Sequence, residues 1–77
     1  MARTIRSKNE LEFAVFCIES LASSLHTDAP RVYRALHDES DILQGYIIPE
    51  YDVLHTQGKE YIVNDILDVM REKGVMI

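Results

Sequence analysis

The densest set of chemically capable side chains in this sequence is Asp52, His55, Thr56, Gln57, Lys59 and Glu60. Asp52 and His55 are three residues apart, so on a helix they share a face. A carboxylate beside an imidazole orients the ring and raises its basicity, which general-base chemistry exploits. We take Asp52, His55, Thr56, Gln57 and Lys59 as the candidate functional cluster. No nucleophile, oxyanion hole or substrate pocket can be identified beside them. The competing reading is that His55 and Thr56 satisfy backbone groups at a junction between two helices. A helix starting near Lys59 would also present free N–H groups and a positive dipole end around Gly58, Lys59 and Glu60, a site for an anion. That signal is general, because every helix has such an end.

Other site chemistries find little support. His26, His37 and His55 are widely separated, and none falls in a known metal-ligand spacing. We expect no metal and no cofactor. The single cysteine, Cys17, excludes an intramolecular disulfide. It lies in Phe13-Ala14-Val15-Phe16-Cys17-Ile18, which reads as buried wall, so a small core thiol is expected rather than a nucleophile. No glycine-rich phosphate loop is present. The chain carries thirteen acids and eight bases, a net charge of −5. Arg3, Arg6 and Lys8 stand at the N-terminus, and from Asn9 onward thirteen acids face five bases, a net charge of −8. Such a body repels phosphate backbones and suits a basic partner, or simply keeps a small protein in solution. The segments around Val32 to Leu36 and Ser40 to Tyr46 imitate a helix-turn-helix, with Arg31 and Arg34 as phosphate contacts. Yet the second offers only Gln44 as a base reader, so nucleic acid is not the expected partner.

Helices must position these residues. Ser7-Lys8-Asn9-Glu10 fits a capping box. After it, Leu11, Ala14, Val15, Ile18, Leu21, Ala22 and Leu25 recur at helical spacing. Phe13, Phe16 and Cys17 widen that stripe, so this helix is either central or covered by a second subunit. Ser23-Ser24 and His26-Thr27-Asp28 end it. Thr27 or Asp28 caps a second helix, with Pro30 in the first turn and Val32, Tyr33 and Leu36 inside. It dissolves over residues 37–40. A short third helix carries Ile42, Leu43 and Tyr46. Ile47-Ile48 should be briefly extended, because Pro49 disfavours helical geometry in the residue before it. A fourth short helix would bury Tyr51, Val53 and Leu54. The last runs from about 59 to 73 with Ile62, Val63, Ile66, Leu67, Val69 and Met70 inside, and Gly74 follows its C-cap. Val75-Met76-Ile77 is an apolar tail.

The fold class is therefore all-α: a compact bundle of four to five helices, two long (about 8–25 and 59–73) and two or three short. Residues 1–7 form a basic arm, and 8–77 a single helical domain. An apolar fraction of 47% suits a globular chain. A domain this small buries a marginal core, which a homodimer would enlarge. No apolar run follows the basic residues at the start, so no signal peptide is expected, and no run of about 18 apolar residues that could span a membrane is present. The expected location is the cytoplasm, with no membrane partner. Tyr33, Tyr46, Tyr51 and Tyr61 border the apolar stripes. With Phe13 and Phe16 they make the candidate interface, since aromatic rings are enriched where proteins meet. Sealing the margins of a small core is the alternative role.

The run Tyr46-Ile47-Ile48-Pro49-Glu50-Tyr51-Asp52-Val53-Leu54-His55-Thr56-Gln57-Gly58, together with Phe13 to Glu19, resembles the short bacterial proteins of domain-of-unknown-function family 3791. The resemblance extends from about residue 10 to 74 and brings no catalytic residue with it. Members of that family can be encoded beside proteins similar to ADP-ribosyltransferases, so the resemblance implies an accessory or antitoxin-like partner role. The leading expectation is a non-enzymatic protein-interaction module that binds another protein or itself. The alternatives are a small DNA-binding regulator, or a ligand binder or enzyme centred on Asp52 and His55.

Overall fold

A computed structural model describes residues 8–75. The basic arm, the Ser7 end of the capping box and the last two residues of the apolar tail lie outside the described residues. Within them the chain forms α1 (Lys8–Leu25), α2 (Ala29–Tyr33), a π-helical turn π1 (Arg34–Asp38) continuous with α2, a second π-helical segment π2 (Leu43–Ile47), α3 (Tyr51–Leu54) and α4 (Lys59–Glu72). The described residues contain no strand. The all-α expectation holds, with α1 and α4 as the two long helices and five helical segments when α2 and π1 are taken as one.

The helix ends follow local rules. α1 stops where His26 adopts φ 56°, a left-handed conformation. Thr27 N–H then donates to the Ala22 carbonyl at 2.9 Å and His26 N–H to that of Ser23 at 3.4 Å. These two bonds form a Schellman motif. Histidine lacks glycine's freedom there, and the conformation costs roughly 1–2 kcal/mol. Asp28, not Thr27, caps α2: its backbone is extended, and its carboxylate accepts from Arg31 N–H at 3.0 Å. α4 ends in the same way as α1, now with the expected glycine. Gly74 sits at φ 72°, Val75 N–H reaches the Met70 carbonyl at 2.8 Å, and Gly74 N–H that of Arg71 at 3.2 Å.

The middle of the chain departs from expectation. The second helix does not dissolve at His37 but widens into π1, closed by Glu39 N–H to the Arg34 carbonyl at 3.0 Å. Ser40 Oγ then donates to the Ala35 carbonyl at 2.9 Å and accepts from Ile42 N–H at 3.3 Å, bridging π1 to the next turn. Ile47 and Ile48 are helical rather than extended. Ile48 has φ −67° and ψ −48°, and its N–H bonds the Leu43 carbonyl at 3.0 Å. Burial overrides the clash with Pro49 here: Ile47 and Ile48 are both enclosed by the core.

That core joins all the elements. α1 packs on α2 and α4, and π1 on π2. Leu21, Val32, Leu36, Ile42, Leu43, Ile47, Ile62 and Ile66 are fully enclosed, with Cys17 among them. Four expected core residues are not in it: Tyr33 of α2, which is 42% exposed, and Leu11, Val15 and Val53. Leu11 and Val15 lie at the edge of the α1 stripe, 47% and 44% exposed, and Val53 is 59% exposed. The stripe is wider than the neighbours that cover it. Gln44 Oε1 is buried in π2 with no hydrogen-bond partner among the described residues. Such a group costs about 1–3 kcal/mol.

Candidate functional site

α3 is a single turn, and its end is where the candidate cluster begins. His55 is its C-cap. The His55 ring stacks on Tyr51 with centroids 4.4 Å apart and planes 9° from parallel. Its Nδ1 lies 2.7 Å from the Tyr51 carbonyl. A carbonyl oxygen only accepts, so Nδ1 carries the proton and Nε2 is left as the lone-pair nitrogen of the neutral ring. Thr56 Oγ1 donates to the Val53 carbonyl at 2.8 Å, and Gln57 N–H to that of Leu54 at 2.9 Å. The last carbonyls of α3 are thus satisfied by the very residues singled out for chemistry. No hydrogen bond or ion pair joins Asp52 to His55 among the described residues. Asp52 and Gln57 are exposed, and Lys59 opens α4.

Tyr51 in turn meets α1. The Phe13 and Tyr51 rings meet edge to face, with centroids 5.4 Å apart and planes at 77°, and Phe16 lies 6.4 Å from Phe13 at 25°. The series Phe16, Phe13, Tyr51, His55 is one aromatic ladder that docks α3 on α1, each contact worth about 0.5–1.5 kcal/mol beyond its buried area. Phe13 is enclosed by its own chain, so of the two candidate interface phenylalanines only Phe16, 41% exposed, offers a surface. A second tyrosine–histidine pair with the same spacing stands on α2 and π1. Tyr33 stacks on His37 at 4.9 Å and 13°, and His37 Nδ1 faces Asp38 Oδ1 at 2.8 Å.

The remaining candidate tyrosines meet on another face. The Tyr46 hydroxyl, on π2, donates to Asp65 Oδ2 on α4. Asp65 above all, then partial burial, and then Glu50 and Tyr61 hold the Tyr46 phenol protonated well above the usual tyrosine range. Tyr61 is 55% exposed beside this pair. Tyr46, Glu50, Tyr61 and Asp65 therefore form a face of two phenols and two carboxylates. Sequence reasoning picked out both tyrosines but neither acid, because the acids come from the turn before α3 and the middle of α4.

Cys17 is fully enclosed, and burial pushes its thiol up to about 12. It has no thiolate character at neutral pH. No group of three His, Cys, Asp or Glu side chains is placed to hold a metal ion among the described residues. No helix among them is long and apolar enough to cross a membrane. An open cleft of about 520 Å³ lies between α1 and α4, lined by Ser20, Ser23, Ser24, Lys59, Glu60, Val63 and Asn64. Of these, only Lys59 and Glu60 carried a signal in the sequence. The serines follow helical spacing, but nothing local shows what faces them.

No curated protein and no solved structure matches the chain. The family model described as "Protein of unknown function (DUF3791)" matches residues 12–73, most of the chain and all of α2, π1, π2, α3 and α4. The chain accordingly belongs to this family, whose fold, in this member, is the helical bundle described above.

Proposed function

We propose that the domain is a non-enzymatic protein-interaction module whose partner presents a basic segment to the face of Tyr46, Glu50, Tyr61 and Asp65. The convergence of two phenols and two carboxylates from π2, α4 and the turn before α3 carries this reading. An exposed tyrosine ring flanked by carboxylates suits arginine or lysine: the ring face attracts the cation, and the carboxylates hydrogen-bond it. The net charge of −8 from Asn9 onward adds long-range attraction for the same partner and raises its association rate. In its sharpest form the role is that of an accessory or antitoxin-like partner to a protein encoded beside it.

The test is a tagged capture from the native cell, with the stoichiometry of the eluate read by light scattering. The expected result is a stoichiometric complex that weakens with salt and loses about tenfold or more in affinity on Tyr61→Ala or Glu50→Gln. Both positions are exposed, so the melting temperature should hold. A free monomer that captures nothing, a homo-oligomer without a partner, or a complex indifferent to both substitutions overturns the reading.

A further inference from the structure

The cleft between α1 and the first turn of α4 is separate from the tyrosine face and has the composition of a small-anion site. Gly58 precedes α4 with no side chain to cap it. The first bond of the helix runs from Ile62 N–H to the Gly58 carbonyl at 3.0 Å, which leaves the amides of Lys59, Glu60 and Tyr61 without an intrahelical acceptor. The dipole end and the Lys59 ammonium both favour negative charge there. Across the cleft stands Ser20. It is only 5% exposed, it lines the cleft, and its hydroxyl has no hydrogen-bond partner among the described residues. Ser20 is thus a mostly buried residue whose hydroxyl remains free to bond a ligand entering the cleft. Ser23, Ser24 and Asn64 add further donors and acceptors, Val63 gives an apolar wall, and the volume of about 520 Å³ lies in the range of small-molecule sites.

We propose that this cleft binds a small phosphomonoester that carries hydroxyl groups. The phosphate would lie at the α4 N-terminus, bonded by the free amides and Lys59, with Ser20 donating from the opposite wall. Glu60, unfavourable to a bare anion, then has a use: its carboxylate accepts from the ligand hydroxyls, as Asn64 and Ser23 also can. This arrangement prefers a polyol phosphate to inorganic phosphate, and an uncharged polyol should not bind.

The experiment is a ¹⁵N–¹H titration of the full chain at constant ionic strength with glycerol 3-phosphate, inorganic phosphate and glycerol as probes. Glycerol 3-phosphate should give saturable shifts centred on the amides of Lys59, Glu60 and Tyr61 and the side-chain amide of Asn64. Its affinity should exceed that of inorganic phosphate by about fivefold or more, the effect of one or two added hydrogen bonds. Ser20→Ala should weaken it by about five- to tenfold, as should Lys59→Ala. Ser20→Ala breaks no hydrogen bond within the described residues, so its melting temperature should stay close to that of the natural protein, which separates loss of the site from loss of the fold. No saturable shift by about 20 mM, equal shifts from chloride, or affinity unchanged in both variants overturns the proposal.

Discussion

Replacing Tyr46 by phenylalanine deletes one atom from a contact that ties π2 to α4 across 19 positions of sequence. The hydroxyl donates to the Asp65 carboxylate, so the bond is charge-assisted, a class worth about 1.5–3 kcal/mol when shielded from water. Both residues are only half-buried. Solvent screening reduces the figure, and we expect a loss of about 1–2 kcal/mol at pH 7. For a domain of this length that lowers the melting temperature by about 4–15 °C. The same bond gives the substitution a signature in pH. The native phenol holds its proton above the value of about 10 at which an unfolded tyrosine releases it. The contribution is therefore complete below about pH 10 and disappears as pH rises through the elevated native value. Urea unfolding followed by far-ultraviolet circular dichroism, run from pH 7 to 11, should show the gap between the natural protein and Tyr46→Phe as constant at first and then closing above about pH 10. Other groups titrate in that range, but they are common to both proteins and cancel in the difference. A gap below about 0.3 kcal/mol at pH 7, or one that stays constant to pH 11, would refute the assigned role of the bond.

Three further substitutions test the physical account of the fold. His26→Gly should stabilise the domain by a few tenths to about 1 kcal/mol, because it relieves the left-handed strain at the end of α1 against a small increase in unfolded-state entropy; a loss of stability in urea unfolding would show that the histidine side chain makes a compensating contact. Cys17 should resist thiol labelling in the folded state at pH 8. Since its native thiol lies at about 12, the stability it confers should be intact below about pH 8.5 and decline as pH rises toward 12, a slope that Cys17→Ala removes; labelling at the rate of a free thiol contradicts the burial argument. Gln44→Met should raise the melting temperature, with a gain of about 1 kcal/mol from removing the orphaned carbonyl; a fall of that size would mean the amide nitrogen of Gln44 contributes more than its oxygen costs.

What could be read from the sequence of this protein was whatever depends on neighbours three or four residues away. The buried stripe of Ile62, Val63, Ile66 and Met70 follows from helical periodicity alone, as does the inward face of Val32 and Leu36. Asp28 as a cap and Gly74 as a left-handed terminator follow from what single residues can do for unpaired backbone groups. Tertiary structure decided the rest. α1 has more apolar circumference than any one neighbour covers, so the docking of α2 and α4 determined that Ala14, Cys17 and Leu21 are enclosed while Leu11 and Val15 lie at the rim. The strong local preference against a helical residue before Pro49 gave way to the burial of Ile48, a contact with residues distant in sequence. His55 was legible as a polar residue of interest, but its partner, the Tyr51 carbonyl rather than Asp52, depends on how the single turn of α3 closes. The pairing of Tyr46 with Asp65, and the placing of Ser20 across a cleft from the start of α4, bring together positions with no periodic relation. Periodicity records which side of a helix is apolar; it holds no information about which polar groups a second helix will bring to the other side.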